Sequence, residues 1–218
     1  MDTVKAVIFD AEDVIYSRNE DSFQPLVHFF KLIDQPRSYK EIRQAYEQKK
    51  VEMYKGVISK HDHFKRMLKR LNVSLSDSQF QDFQEAFVES HDNIHINPAI
   101  EPTFKTLQEK EIRIIVLSDT FASAEKKKEW FEKIGLGSYI EKTFCSSEIN
   151  HTKDEKEAYE KVLQDLNVKE EEVAFVGHQA YEMLGAKSAN IKAISIVKDI
   201  GEDIFVDNLQ QLPEQLTR

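Results

Sequence analysis

Four short apolar runs constrain this chain's fold more than any other feature: VKAVIF (4–9), IRIIVL (112–117), EVAFVG (172–177) and KAISIV (192–197). None alternates with period two, so each reads as a strand covered on both faces. Helical patterns accompany the later runs, at 103–110, 123–136, 156–168 and 181–190, and the second of these stops near Gly135. Strands alternating with helices predict an α/β fold, a doubly wound parallel sheet with helices on both faces. A further short strand is expected near YIEKTFC (139–145).

Residues 17–97 break that rhythm. They contain no strand signal and read as four helices, at 21–33, 39–57, 60–72 and 76–91. Ser76 is placed to cap the last, which puts Phe80, Phe83 and Phe87 on one face as a core stripe. The expected organisation is a core domain of residues 1–16 and 98–218 and an all-helical domain of 17–97 inserted between its first two strands. The return segment INPAIEP (96–102) carries two prolines that stiffen it.

Charge and composition narrow the partners. The net charge of −9 argues against nucleic-acid or anionic-membrane binding, which want clustered Lys and Arg. No apolar run approaches the ~20 residues of a membrane span, and the start lacks a signal-peptide pattern. With Cys145 the single cysteine, no internal disulfide is possible, and a cytoplasmic protein is expected. Only six glycines are present, with no GxGxxG or Walker A loop among them, which disfavours nucleotide-cofactor chemistry. A monomer or weak dimer is expected.

In an open parallel sheet, ligands bind outside the carboxyl ends of the strands. Those ends carry Asp10, Glu12 and Asp13 after the first run, and Ser118, Asp119 and Thr120 after the second. Lys153 follows in CSSEINHTKDEKEAY, and Gly177, His178 and Glu182 follow the third run. A carboxylate at a strand tip can act as a nucleophile while a hydroxyl and an ammonium hold an electrophile's oxygens. Lys153 would also offset the charge of Asp10.

These residues, in this order, resemble the haloacid dehalogenase (HAD) superfamily of aspartate-nucleophile hydrolases, in its branch with a helical cap. IFDAEDVIY resembles the first motif, VLSDT the second, SSEINHTKDEKEAY the third and FVGHQAYEMLGAKSAN the fourth; DIFVDNLQQLPEQL resembles the closing segment. The resemblance implies a hydrolase of small phosphomonoesters working through an aspartyl-phosphate. Asp10 would be the nucleophile, Glu12 the acid–base, and Ser118, Asp119 and Lys153 the phosphate-binding residues; His178, which departs from the family pattern, is added as a phosphate-binding candidate for the charge it can carry. It further implies Mg²⁺, held by Asp10, the Glu12 backbone carbonyl and Glu182, with a small phosphorylated molecule as substrate or ligand. The cap would close over the strand tips and exclude water.

Two positions depart from the family pattern: Glu12 replaces the second Asp, and His178 the fourth-motif Asp. Glu12 adds a methylene, a displacement of up to ~1.5 Å, where ~1 Å can cost ~10²-fold in rate. Asp13 sits one residue later, where the chain should turn away. Imidazole at 178 is a poor substitute for the hard oxygen that Mg²⁺ wants. Either Glu182 reaches in to replace the missing oxygen, or the metal binds poorly, or His178 meets phosphate directly as a cation. Two alternatives accompany the phosphatase reading. One is an impaired catalyst that binds a phosphorylated ligand or a protein partner. The other is a metal-independent 2-haloacid dehalogenase, which Gln179, Tyr181 and FDA (9–11) resemble and for which Arg37 or Arg43 would bind halide.

Elsewhere, HDHF (61–64) reads as surface histidines, because i, i+2 positions face apart on a helix. His91 and His95 are spaced i, i+4 but end a helix with no second cluster. EKKKEW (125–130) and KEEEV (169–173) read as solvated ends, Cys145 as a packed residue at a strand end, and Trp130 and Phe131 as helix-to-sheet packing.

Overall fold

The computed structural model describes residues 4–18, 22–92 and 94–216. Strand β1 (Ala6–Phe9) leads through a tight turn into β2 (Tyr16–Arg18). Helices α1 (Gln24–Leu32), α2 (Tyr39–Glu47), α3 (Lys50–Tyr54), α4 (Lys60–Arg70) and α5 (Asp77–Asp92) follow, and then β3 (Ile94–Ile96). The chain continues through α6 (Ile100–Glu109), β4 (Arg113–Ser118), α7 (Ala124–Lys133), β5 (Lys142–Cys145), α8 (Ser146–Ile149) and α9 (Lys156–Leu166). It closes with β6 (Val173–Gly177), α10 (Ala180–Ser188), β7 (Lys192–Ser195), β8 (Ile204–Phe205) and α11 (Leu212–Gln215).

The sheet is six-stranded in the order β5-β4-β1-β6-β7-β8, and every pairing is parallel. This is the doubly wound α/β architecture expected from the four runs. β1 is fully buried and lies between β4 and β6, with Phe9 opposite both Val116 and Val176. One residue on, Asp10 leaves the sheet at the rim where Ser118 ends β4 and His178 follows β6. The strand order reverses at β1, the place where open α/β sheets bind ligands. One face is sealed by Ile8, Leu117, Phe175, Tyr159 and Met183, all inaccessible to solvent.

The chain divides into two compact units: Met1–Tyr16, Tyr54–Gly56 and Ile96–Arg218 form one, and Ser17–Met53 with Val57–His95 the other. The second is the inserted helical unit. Its core is aromatic: Phe83 packs against Phe29, Phe30 and Phe64 at ring distances of 5.8, 6.0 and 5.3 Å. Serines start its helices: the Ser38, Ser59 and Ser76 hydroxyls accept the N–H groups of Glu41, Asp62 and Gln79.

Several local expectations are corrected. The single helix expected over 39–57 is two, because Lys49 takes a left-handed conformation (φ 62°) that no Gly or Pro announces. The segment read as strandless begins and ends in β2 and β3, which pair as a two-stranded sheet; three residues each are too few to show a period. His63 is not a surface residue: it is fully buried, edge-on to Tyr46 at 5.3 Å, and burial lowers its pKa. The His91 side chain lies outside the described residues, as does Asp21, where the first helix was expected to start. Lys127 is not simply solvated; its ammonium donates to the Tyr16 hydroxyl (3.0 Å) and lies 5.2 Å from the centre of the Trp130 ring. Cys145 is buried, which pushes its thiol up to about 12. Among the described residues, no helix is long and apolar enough to cross a membrane.

Candidate active site

Asp10 directly follows the central strand and is 3% exposed. A lone carboxylate there would be costly, and the surroundings compensate it oxygen by oxygen. Oδ1 accepts the Ala11 N–H at 2.8 Å and meets the Lys153 ammonium. Oδ2 lies 3.0 Å from Nδ1 of His178. Burial raises the pKa of this acid, but Lys153 and His178 outweigh it and hold the group at about 2. Asp10 is therefore a carboxylate at any physiological pH.

Lys153 is fixed at both its ends. Its backbone N–H donates to the Asp119 carboxylate at 3.1 Å, and its carbonyl accepts from the Tyr159 hydroxyl at 3.1 Å. Helix α10 presses on the same peptide: a Cβ on Gly185 would stand 2.0 Å from the Lys153 carbonyl oxygen, so no side chain fits. The ammonium also lies 2.7 Å from Oε1 of Glu182. Desolvation disfavours that charge, yet Asp10 and Glu182 raise the Lys153 pKa well above its ordinary value.

Glu182 is fully buried at the start of α10, where Oε2 accepts the N–H groups of His178 (3.0 Å) and Gln179 (3.1 Å). A carboxylate at a helix N-terminus satisfies orphan donors and complements the dipole. Burial still raises its pKa. Gly177 makes room for it, since a Cβ there would lie 2.6 Å from Oε2.

The His178 ring is clamped between acids. Besides Asp10 on Nδ1, its Nε2 lies 3.4 Å from Oδ2 of Asp13, and Nδ1 lies 3.6 Å from Oε2 of Glu182. Burial would lower its pKa, but Asp10 and Asp13 overcome that and raise it to about 10. Asp13 reaches the ring because its left-handed backbone (φ 62°) turns it back, contrary to the expectation that the chain turns away there.

The expected residues thus separate. Asp10, Lys153, His178 and Glu182 converge, and Ser118 is buried at the same rim. Asp119, expected at the phosphate, has its carboxylate on the Lys153 backbone N–H, and burial raises its carboxyl to about 6. Glu12 forms a backbone bridge with Tyr16, whereas the side chains described around the Asp10 carboxylate are Lys153 and His178. Arg37 is corrected as a halide-binding candidate, since its guanidinium is spent on the Leu71 and Pro36 carbonyls. Arg43 is exposed. Gln179 contributes its backbone N–H at the α10 start, and Tyr181 is 44% exposed. Tyr159 and Gly185 were not foreseen as site residues: Tyr159 acts through its hydroxyl on the Lys153 and Glu182 carbonyls, and Gly185 through the close approach its missing side chain allows.

Asp10, His178 and Glu182 each bring one potential ligand atom within 4.8 Å of the others. That set does not fit the Mg²⁺ expected from the resemblance. Mg²⁺ wants near-octahedral oxygen at about 2.0–2.1 Å, and here an imidazole stands at one corner. Both Asp10 oxygens and both Glu182 oxygens already face protein cations or N–H groups.

Comparison with known proteins gives the same architecture. The family model for haloacid dehalogenase-like hydrolases matches residues 4–190. Pyrophosphatase PpaX of Halalkalibacterium halodurans is 23% identical over 207 residues, covering 92% of this chain and 87% of that protein. Among solved structures, a 2-haloacid dehalogenase from Pseudomonas syringae superposes with a TM-score of 0.73 at 20% identity, covering 99% of both chains. A β-phosphoglucomutase from Clostridium difficile gives 0.63 at 15% identity, covering 98% of this chain and 97% of its own. At such identities these structures speak for the fold alone.

Proposed function

The chain belongs to the haloacid dehalogenase-like hydrolases, and within that family we propose that it hydrolyses a small phosphomonoester through a covalent intermediate on Asp10. The observation that carries this reading is the buried, ionised Asp10 carboxylate with the Lys153 ammonium and the His178 ring at its two oxygens. An Asp10 oxygen attacks phosphorus, the bond to the leaving oxygen breaks, and that oxygen takes up a proton. Water then attacks the aspartyl-phosphate, releasing inorganic phosphate and restoring the carboxylate. Lys153, His178 and the Ser118 hydroxyl face the phosphoryl oxygens, where fixed donors stabilise developing charge. Glu12 is the acid–base of this proposal, and Asp13 orients the His178 ring.

The test is phosphate release from a panel of small phosphomonoesters such as p-nitrophenyl phosphate. Asp10→Asn should reduce turnover at least about a thousandfold, as removal of a covalent nucleophile does. Turnover that survives in Asp10→Asn overturns the proposal. Absence of turnover together with thermal stabilisation by phosphate compounds would make the chain a binder instead.

A second reading, 2-haloacid dehalogenation, is favoured by a single feature. His178 puts a positive charge at the corner where the phosphatase pattern has an acid. Halide release from 2-chloropropionate, abolished by Asp10→Asn, would establish it in place of phosphatase activity.

A further inference from the structure

We infer that the His178 ring, set beside Asp10, Asp13 and Glu182, fills the corner that a divalent cation would need and makes the Asp10 site metal-independent. The inference concerns the make-up of the site and does not depend on which reaction Asp10 carries out.

Three observations converge on it. First, both ring nitrogens face carboxylate oxygens, Nδ1 at 3.0 Å from Asp10 and Nε2 at 3.4 Å from Asp13. Imidazole is a poor ligand for a hard cation such as Mg²⁺. Second, the resemblance places an acid at position 178. Exchanging that acid for an imidazole removes a hard oxygen that Mg²⁺ would want. Third, the ring occupies the space such an ion would need. Its Nδ1 also lies 3.6 Å from Glu182 Oε2, within reach of both carboxylates, Asp10 and Glu182, that the resemblance implies as ligands. Lys153 takes the remaining faces of Asp10 and Glu182, so no pair of vacant oxygens is left to coordinate.

Direct metal binding tests this without reference to turnover. EDTA-stripped protein is titrated with Mn²⁺ at neutral pH, and bound ion is read by its electron paramagnetic resonance signal. The wild type should bind no stoichiometric Mn²⁺ below millimolar concentration. His178→Asp should bind one Mn²⁺ per chain at least about tenfold more tightly, with Mg²⁺ competing, because it restores a hard oxygen. One equivalent of Mn²⁺ held by the wild type and lost in Asp10→Asn would overturn the inference, and this arm stands even if His178→Asp does not fold. Inorganic phosphate provides a second arm. Its thermal stabilisation of the wild type should be equal in EDTA and in Mg²⁺, and should vanish in His178→Gln. Stabilisation of the wild type that appears only with Mg²⁺ would contradict the inference. Failure of every phosphomonoester to turn over would sink the hydrolase reading and leave the Mn²⁺ result standing.

Discussion

At the scale of single residues, Lys153 is the group on which the others lean. Its ammonium neutralises Asp10 and Glu182, and all three side chains are out of water. Removing one partner of a buried ionic set leaves the others uncompensated, which typically costs about 3–5 kcal/mol. Lys153→Met should therefore lower unfolding free energy by roughly that amount in urea titrations, besides abolishing activity; a loss below about 1 kcal/mol would contradict the described pairing. Asp119 makes the pH dependence readable. Its carboxyl rises from 3.8 to about 6 on folding because it is buried, so the folded state holds this proton longer than the unfolded state. The stability associated with the neutral form is present below pH 3.8 and is lost as pH rises through about 6. Asp119→Asn should thus gain on the wild type between those values and stay level above them, read from denaturation midpoints across that range. Asp10, Ser118 and Glu182 were legible in the sequence because each follows a strand run or opens a helix, whereas Lys153 lies in the loop before α9 and was marked out as the cation of that segment and by the family resemblance. The Asp13–His178 contact was not, since it depends on a left-handed turn that Asp tolerates but does not announce.

At the scale of elements, the site depends on how closely α10 approaches the Lys153 loop. Gly185 allows that approach and Gly177 gives Glu182 its space. Gly185→Ala forces a methyl to 2.0 Å from the Lys153 carbonyl oxygen, and such overpacking costs about 1–3 kcal/mol or more. The expected result is a lowered Tm together with a loss of turnover, since the peptide that moves is the one carrying the lysine. Unchanged Tm and turnover would mean that α10 does not press on this loop. The parallel strands could be read in advance because burial on both faces leaves continuous apolar runs. The β2–β3 pairing and the α2–α3 break could not, because one is too short for a period and the other turns on the backbone of Lys49.

At the scale of the whole molecule, the chain divides its work between a sheet unit that holds the site and an inserted helical unit with its own aromatic core. Phe83 lies at the centre of that core and is inaccessible to solvent. Phe83→Ala should cost about 3–5 kcal/mol, seen as faster amide exchange in α1, α4 and α5 while the sheet strands keep their protection. Uniform loss of protection across both units would show that they unfold as one. The stripe containing Phe83 was visible as helical periodicity. The buried place of His63 beside it was not, because spacing along a helix fixes the face of a residue and not what packs against that face.

The central claim is that Asp10 is a nucleophile. Protein mixed with excess p-nitrophenyl phosphate and quenched into sodium borohydride should yield homoserine at position 10 in the peptide that contains it by mass spectrometry, because borohydride reduces an acyl-phosphate to the alcohol. Steady turnover with an unmodified Asp10 in that peptide would contradict the account.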